Sequence, residues 1–232
     1  MIKIEHTDVY GWEAAIRGMR NPMNSWDKSD SHKCLCALDF GDCEMVENNH
    51  EPAHECDNGK RGFCVGINDL DLMKRLAKGG SVHAKYRRMI TVTCDITAPL
   101  YWWKEFDTYK VGTVANSCST MHKIHAKEFA IDDFSIDHLD ILGIDHLKTL
   151  ILYLNSMRDM FLETKNKHYW WQMIQLLPSS YNQKRTVQLN YEVLVGMYRD
   201  RRNHKLNEWH VFCDWIEALP YSELIEEVDN EQ

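Results

Sequence analysis

A strand-like segment that runs directly into three adjacent aromatic residues constrains the fold of this chain more than any other feature. Residues 88–96 read RMITVTCDI and alternate β-branched residues with others, which is typical of a strand. Residues 101–103 are Tyr-Trp-Trp and fall within one helical turn. Side chains this large around a helix predict that other elements enclose it. Because Thr97 can cap a helix and Pro99 is tolerated in a first turn, the helix is expected to begin near Ala98.

A run of small polar residues follows this helix after a glycine. Asn116 and Ser119 lie in the sequence Asn-Ser-Cys-Ser-Thr at residues 116–120. Such residues suit a loop, where their side chains bind either a polar ligand or the backbone of the loop itself. The position of the run directly after an enclosed helix favours a ligand-binding loop, and hydrogen bonding within the loop stays open as the alternative.

Periodicity elsewhere predicts one α+β domain without repeats or a linker. Residues 2–10 alternate as a short strand. Residues 68–80 form a clear helical pattern that a Gly-Gly pair ends and that Asn68 or Asp69 can cap. Apolar residues at helical spacing predict further helices at 11–21, 144–161, 169–177, 186–202 and 206–219. A chain of 232 residues is long enough to bury a full core as one such domain.

Charge and composition exclude several classes of protein. The net charge of −8 argues against a nucleic-acid-binding surface, which normally carries a basic excess. A small anionic ligand needs only a local positive pocket and is compatible with this charge. The start, MIKIEHTDVYGW, lacks the basic and apolar regions of a signal peptide, and no apolar run is long enough to span a membrane. The eight cysteines are then most simply reduced thiols, so a cytoplasmic protein is expected.

A segment rich in cysteine and histidine, residues 22–66, has no regular pattern and is expected to be an irregular insertion. The Cys and His residues in and beside its loops are Cys34, Cys36, Cys43, Cys56, Cys64, His32, His50 and His54. Thiolate and imidazole groups can enclose zinc, which makes a structural metal site an alternative. The spacing matches no paired C-x-x-C motif, and Cys34 and Cys36 point to opposite faces of an extended chain. Free thiols and solvated histidines are therefore expected, and no metal site.

Two stretches, residues 108–122 and 177–209, follow the motif order of a known family. The family signature reads Arg-His-Arg, a few residues, Ser, a spacer, Asn, two residues, Ser, one residue and Arg-Tyr. Its best match here runs through Thr108-Tyr109-Lys110, Thr113, Asn116, Ser119 and Met121-His122. In the second stretch, Asn190 and Arg201 fall on the Asn and the Leu-Arg positions of the family's second ligand segment. The chain therefore resembles the FAD-dependent thymidylate synthases along almost its full length.

The resemblance implies an α+β fold with a mixed or antiparallel sheet and packed helices. It also implies a homotetramer in which FAD and dUMP bind at subunit junctions. NADPH would be the reductant, and methylenetetrahydrofolate would supply the one-carbon unit that turns dUMP into dTMP. The residues implied to contact the flavin are Ser81, His83, Lys110, Thr113, Asn116 and Asn190. Ser119 and Arg201 would face the nucleotide at the reaction site.

Several positions depart from the family pattern. Thr108 and Met121 stand where the family has Arg, and Glu192 adds a negative charge where Arg is usual. Gly196 replaces a usual Asn. Losing a charged hydrogen bond to a buried anion costs roughly 2–5 kcal/mol. The cations available to compensate are Arg88, Lys184, Arg185, Arg199 and Arg202.

These departures leave three hypotheses. The leading one is a diverged enzyme that binds a flavin and a nucleotide and makes dTMP. The second is a catalytically degenerate relative that acts as a flavin-binding, nucleotide-binding or assembly protein. The third is a metal-dependent activity built on the Cys/His-rich segment, and it rests on composition alone.

Overall fold

The structure is a computed structural model, in which residues 2–33 and 63–226 are described. The strands of this part are Lys3–Tyr10 (β1), His32–Lys33 (β2), Phe63–Cys64 (β3), Thr91–Pro99 (β4), Val114–Ser117 (β5) and Asn182–Asn190 (β6). A four-stranded sheet has the order β1-β4-β6-β5. The short strands β2 and β3 pair as an antiparallel ribbon, with His32 opposite Cys64.

Helices cover much of the remaining described chain. The α-helices are Trp12–Arg20 (α1), Ile67–Lys78 (α2), Leu100–Phe106 (α3), Ile141–Thr164 (α4), Lys167–Leu176 (α5), Tyr191–Arg201 (α6), Asn207–Glu217 (α7) and Glu223–Glu226 (α8). A sheet with packed helices is the α+β class expected from the sequence, which is confirmed. None of the described helices is both long and apolar enough to cross a membrane.

The chain divides into two compact units. The first comprises the described residues of Met1–His6, Cys94–Lys110 and Val114–Val187. Its apolar core joins α4 and α5 to the preceding loop through Ile124, Phe129, Phe134, Leu147, Ile151, Leu154 and Met173. The apolar stripe predicted on the helix at 144–161 is confirmed, because it faces this core.

Helix α3, in the same unit, carries the aromatic residues with which the sequence analysis began. The side chains of Trp102 and Trp103 are 0% and 1% exposed. Their rings meet edge to face with centroids 4.9 Å apart, and Phe106 lies within 5.2 Å of both. Burying an aromatic side chain of this size contributes on the order of 2–3 kcal/mol. The prediction of an enclosed helix is therefore confirmed.

The second unit comprises the described residues of Thr7–Thr93, Val111–Thr113 and Gln188–Gln232. The ring of Trp12 meets Tyr191 and Tyr221 edge-on, with centroids 5.4 Å and 5.0 Å away. A 3-10 helix, Ala84–Met89, packs against α1, α2 and α6. This unit therefore forms around α1, α6 and the 3-10 helix.

The start of α3 lies later in the chain than predicted. β4 continues through Pro99, whose ψ of 150° is extended, and the helix begins at Leu100 rather than near Ala98. The amide of Leu100 donates to the carbonyl of Tyr181 at 3.0 Å, so backbone pairing persists to this point. Thr97 is accordingly a strand residue and not a helix cap.

The helix predicted at residues 186–202 is wrong in its first part. Residues up to Asn190 belong to β6, and α6 begins only at Tyr191. Val187 and Leu189 are buried while Gln188 between them is exposed, which is the two-residue period of a strand. Val187 also fits the helical period of the residues after it, and that coincidence produced the error.

The cap of α2 also differs from the prediction. The helix begins at Ile67, so Asn68 and Asp69 lie inside its first turn. Their amides donate to the carboxylate of Asp30, at 2.9 Å and 3.1 Å. A residue far earlier in the chain thus replaces the local cap, whereas the predicted end of the helix at Gly79 is confirmed.

The predicted irregular insertion at residues 22–66 is described only as far as Lys33 and again from Phe63. Cys34, Cys36, Cys43, Cys56, His50 and His54 lie outside the described residues. Among the side chains that are described, no three of His, Cys, Asp or Glu are placed to hold a metal ion. The organisation of residues 1–232 as one domain stays a prediction.

Candidate functional site

The polar run after α3 is held in place by buried groups of the first unit. The indole of Trp103 donates to the carbonyl of Gln183 at 2.9 Å. The amide side chain of Gln183, which is buried, donates to the carbonyl of Cys118 at 2.6 Å. The amide of Cys118 donates in turn to the carbonyl of Lys184 at 2.9 Å. The run is therefore held in a fixed position, and its first two residues, Asn116 and Ser117, belong to strand β5 rather than to the predicted loop.

Arg185 was named above as a possible ligand-binding cation. Its side chain instead contacts the residues that hold the polar run. Its guanidinium carbon lies 4.1 Å from the ring centroid of Trp103. Its Nη1 donates to Asp107 at 2.7 Å and its Nε donates to Gln183 Oε1 at 3.0 Å. Three partners at such distances fix a guanidinium in one orientation. Arg185 therefore positions the polar run and does not replace a missing ligand contact.

Lys184 and Arg199 also have carboxylate partners. Lys184 Nζ lies 2.9 Å from Asp95 Oδ2, and this hydrogen bond raises the pKa of the lysine. Arg199 Nε lies 3.1 Å from Asp200 Oδ1 at an exposed position. Exposed pairs of this kind are weak, so a ligand can compete for either cation.

Three predicted site residues of the first unit lie on its surface. Lys110, Asn116 and Ser119 are all exposed. The hydroxyl oxygen of Ser119 accepts the amides of His122 at 2.8 Å and Met121 at 3.3 Å, so it closes a turn in its own loop. A hydroxyl that accepts hydrogen bonds still has its proton to donate. Ser119 can therefore both hydrogen-bond within its own loop and donate to a polar ligand.

The second unit brings two of the predicted flavin contacts to the start of α6. Asn190 caps this helix, with its side-chain oxygen accepting the amide of Val193 at 3.0 Å. Gly112 has φ +77° and packs so closely here that an added Cβ would lie 2.9 Å from Val193 Cγ2 and 3.0 Å from Asn190 Nδ2. Thr113, the next residue, is half-buried. The loop that carries Thr113 thus lies against the cap formed by Asn190.

Ser81 and His83 lie in the turn between α2 and the 3-10 helix, and both are exposed. The amide of His83 donates to the carbonyl of Gly80 at 3.0 Å. The imidazole packs on Gly79, where an added Cβ would lie 3.1 Å from Cδ2. This turn leads directly into the 3-10 helix that packs against α6.

Arg87, on that 3-10 helix, is a functional candidate that sequence reasoning missed. Its residue surface is 2% exposed, and its Nε and Nη2 are buried without a hydrogen-bond partner. Its Nη1 lies 3.9 Å from the carboxylate of Glu192 in the first turn of α6. The negative charge of Glu192 is therefore countered by a cation from another element. No periodic signal separates buried Arg87 from exposed Arg88, which the sequence analysis named instead.

Tyr86, next to Arg87, is a neutral structural residue. Burial raises its pKa to about 12, and its hydroxyl donates to the carbonyl of Met73 at 2.9 Å. A phenol with such a pKa keeps its proton throughout the physiological range. Tyr86 therefore ties the 3-10 helix to α2 through this hydrogen bond.

Arg201 lies at the far end of α6, about 15 Å along the helix from its first residue. Its guanidinium carbon is 4.7 Å from the ring centroid of Trp209. This contact places the guanidinium over the face of the ring. The stacking on Trp209 holds the Arg201 side chain in place. Arg201 lies at the opposite end of α6 from Thr113 and Asn190.

A polar cleft of 510 Å³ adjoins this end of α6. It is lined by Tyr198, Arg202, Asn203, His204, His210, Cys213, Asp214 and Glu217. Tyr198 donates to Glu217 at 2.7 Å, and burial raises the pKa of Cys213 to about 12. The Cys213 thiol is therefore protonated at neutral pH.

Comparison with known proteins identifies the fold. No protein-family model matches the chain, and no curated protein matches it by sequence. A crystal structure of flavin-dependent thymidylate synthase ThyX from Helicobacter pylori, complexed with FAD and dUMP, superposes with a TM-score of 0.63 at 15% identity. The match covers 97% of this chain and 99% of that one. A second structure of the H. pylori protein with FAD and dUMP gives the same TM-score at 14% identity, with both chains fully covered. The chain therefore has a flavin-dependent thymidylate synthase-like fold.

Proposed function

We propose that this protein binds FAD and dUMP and methylates dUMP to dTMP, with NADPH as reductant and methylenetetrahydrofolate as one-carbon donor. The observation that carries the proposal is the end-to-end structural similarity to a thymidylate synthase crystallised with FAD and dUMP. The sequence resemblance supports it independently, since Asn116, Ser119 and Asn190 occupy motif positions.

We propose that residues at the start of α6 help to hold the flavin. Gly112 packs closely on Asn190 there, and Thr113, the next residue, is half-buried. Lys110 supplies a positive charge and Asn116 an amide, while Ser81 and His83 offer a hydroxyl and an imidazole on exposed turns. When bound, the flavin would supply the redox chemistry of the reaction. The protein groups would hold and orient it.

The nucleotide would be held by Ser119 and Arg201. The Ser119 hydroxyl donates its free proton to an acceptor, and the Arg201 guanidinium presents forked donors to a phosphate. These residues lie in separate compact units. We propose that the protein assembles as a homotetramer, so that each site draws residues from several chains. The exposure of Lys110, Asn116 and Ser119 is consistent with a site that another chain completes.

We further propose that the protein acts in the cytoplasm on small molecules, without a nucleic-acid or membrane partner. The net charge of −8 supports the absence of a nucleic-acid partner, because a phosphate backbone attracts a basic surface. A locally positive site for mononucleotides does not conflict with that charge.

The alternative is a binding or assembly protein without turnover. It is favoured by Thr108 and Met121, which lack the charged donors that the motif places there, and by the commitment of Arg185 to Asp107 and Trp103. Neutral donors in place of guanidinium groups stabilise developing charge less well. Such a protein would keep ligand binding and lose the reaction.

Incubation of the purified protein with FAD, NADPH, methylenetetrahydrofolate and dUMP tests the proposal. We expect dTMP to form, measured by chromatography, and to disappear when FAD is omitted.

Arg201→Ala is expected to weaken dUMP binding by roughly tenfold or more, the size of one lost charged hydrogen bond. Arg75→Ala, which removes a last-turn arginine from α2, is the matched control. Binding of both ligands without dTMP would support the alternative, and unchanged affinity in Arg201→Ala would remove Arg201 from the site.

A further inference from the structure

The groove between α6 and α7 brings charged side chains from both helices to the polar cleft described above. Tyr198 and Arg202 are four residues apart at the end of α6, and His210, Asp214 and Glu217 recur at spacings of four and three on α7. Residues at such spacings share one face of a helix. All five line the cleft of 510 Å³, a volume within the roughly 300–1,000 Å³ of small-ligand sites. The two helix faces therefore form its walls.

The buried side chains at the base of this cleft are neutral. Tyr198 and Cys213 are 5% and 3% exposed. Burial is the main cause that raises the pKa of each to about 12, so both keep their protons at neutral pH. The charges of Glu217 and Asp214 also raise the pKa of Cys213, whereas Arg202 lowers it. One cation and two carboxylates thus lie near the same buried thiol.

The cation and one of the carboxylates have no ionic partner in the described part of the chain. The guanidinium carbon of Arg202 lies 5.2 Å from the ring centroid of Tyr198. Neither Arg202 nor Asp214 forms an ion pair with another described side chain. Glu217 accepts the Tyr198 hydroxyl at 2.7 Å through one of its two oxygens. Because Arg202 and Asp214 are both exposed, a ligand reaches them without breaking an existing pair.

These charges disfavour ligands that carry only one sign. An anion drawn to Arg202 is repelled by Asp214 and Glu217, and a cation meets the opposite conflict. No three His, Cys, Asp or Glu side chains of the described residues are placed to hold a metal ion. A molecule with both a carboxylate and an ammonium group pairs with both signs at once. The charge pattern therefore selects a zwitterion.

The donors on the Arg202 side of the cleft suit a carboxylate. A guanidinium presents two parallel N–H groups that match both oxygens of a carboxylate. His204, which also lines the cleft, accepts the amide of Leu206 at Nδ1 over 3.2 Å. The ring proton of His204 is then on Nε2, which makes this nitrogen a second donor. On the α7 wall, the oxygens of Asp214 and Glu217 are acceptors for an ammonium group.

This cleft lies away from the residues predicted to hold the flavin. Gly112 packs against Val193 in the first turn of α6. Val193 and Arg202 are nine residues apart, which is two and a half helical turns, so they lie on opposite sides of α6 and about 14 Å apart along its axis. Arg201, the predicted nucleotide contact, stacks on Trp209 and is not a lining residue. The cleft is therefore a separate site.

We infer that this cleft binds a free α-amino acid, with Arg202 and His204 on its carboxylate and Asp214 and Glu217 on its ammonium group. An α-amino acid carries both charged groups on one carbon. Such a compact zwitterion suits three charges that all lie near Cys213. The inference goes beyond the proposed function and does not depend on it.

Titration of the purified full-length chain with the protein amino acids, one at a time, tests this site. Each is added at millimolar concentration, and the melting temperature is measured. We expect at least one amino acid to raise the melting temperature, since a ligand that binds only the folded state stabilises it. Isothermal titration should then show saturable binding at one molecule per chain. If no amino acid binds saturably, the inference is overturned.

Analogues of the amino acid that binds test the two charged contacts. The carboxamide removes the negative charge, and the des-amino acid removes the positive charge without adding bulk. We expect each analogue to bind roughly tenfold or more weakly than the parent, because each loses a charged hydrogen bond. Equal affinities of the parent and both analogues would contradict the proposed contacts.

Two variants assign these contacts to residues. In Arg202→Met, the difference in affinity between parent and carboxamide should disappear, while the des-amino acid still binds more weakly. In Asp214→Asn, the difference between parent and des-amino acid should shrink, while that for the carboxamide stays. A folding defect lowers all three affinities together and leaves both differences in place. Arg17→Met and Asp71→Asn remove exposed charges elsewhere and should behave as wild type. Differences that persist unchanged in both cleft variants would overturn the assignment.

Competition with FAD and dUMP separates this site from the proposed function. We expect the amino acid to bind with the same affinity in the presence of either ligand. Displacement of the amino acid by FAD or dUMP would place the cleft within the nucleotide site and overturn the inference. If neither FAD nor dUMP binds, the proposed function is wrong, and the amino acid titration still decides the role of the cleft.

Discussion

Asp69 shows how a single residue stabilises this chain. Its side chain is fully buried and accepts hydrogen bonds from Arg20 Nε at 2.6 Å, Ser29 Oγ at 2.7 Å and Ser31 Oγ at 2.6 Å. The amides of Asp30 and Ser31 donate to it as well, each at 3.2 Å. Burial by itself would raise the pKa of this carboxyl, but the hydrogen bonds from Ser31, Ser29 and Arg20 outweigh burial and lower it. The charged form is therefore the one that the fold stabilises.

Asp69→Asn should lower the free energy of unfolding at pH 7 by about 3–5 kcal/mol, because it leaves Arg20 buried without its counter-charge. The pKa of Asp69 is lower in the folded chain than in the unfolded chain. Its stabilisation is thus complete above the unfolded pKa of about 4 and is lost as the pH falls through the folded value. Urea unfolding measures this effect at pH 7 and at lower pH. The difference in free energy of unfolding between wild type and Asp69→Asn should shrink as the pH falls.

Asp71→Asn is the matched control for that measurement. Asp71 forms an exposed i,i+4 pair with Arg75 on the same helix, at 2.9 Å. Loss of such a pair costs less than about 1 kcal/mol. If the difference in free energy of unfolding between wild type and Asp69→Asn stays constant from pH 7 to acidic pH, the charge of Asp69 does not contribute to stability.

Residue roles were predictable only where a neighbour in sequence determines them. The adjacent positions of Tyr101, Trp102 and Trp103 were enough to predict that other elements enclose this helix, because three large rings within one turn spread over much of its surface. Arg185 stacks on a residue far away in sequence, and no local pattern reports such a pair. Arg87 and Arg88 are adjacent and identical, yet one is buried and the other exposed, since tertiary packing decides between them.

At the scale of elements, the segment before α6 shows where periodicity fails. The strand ending at Asn190 and the helix after it share apolar positions that fit one helical stripe, so a single long helix was predicted. Asn190 is the physical boundary, because its side chain caps the helix by accepting the amide of Val193. Asn190 within this apolar segment was the available sign of a helix start. It was overlooked because apolar residues before and after it share one helical spacing.

The contact between the 111–113 loop and α6 yields a prediction at this scale. Gly112→Ala should destabilise the chain by about 2–4 kcal/mol, since φ +77° strains a residue with a Cβ and that atom would also press on Val193 and Asn190. Urea unfolding measures the change. Gly80→Ala is the matched control, because Gly80 has φ +85° but open space around its Cβ position. If Gly112→Ala and Gly80→Ala lower the free energy of unfolding equally, the 111–113 loop does not pack tightly on Asn190.

At the scale of the whole molecule, the order of elements was the most informative part of the sequence. A strand, an aromatic helix and a polar run, followed by Asn190 and Arg201, predicted the fold that the comparison with solved structures confirms at 15% identity. The side-chain contacts of the candidate site were beyond prediction, because they depend on which side chains meet. Arg87 reaches Glu192 from another element, and the Ser119 oxygen is used by its own turn.

Titration of the purified, flavin-free protein with FAD, with and without dUMP, tests flavin and nucleotide binding most directly. Flavin fluorescence and absorbance report the bound fraction. We predict saturable binding at one FAD per chain and a further change in the flavin signal when dUMP is added. A flavin signal identical to that of free FAD throughout the titration, in both the absence and the presence of dUMP, would contradict the proposed function.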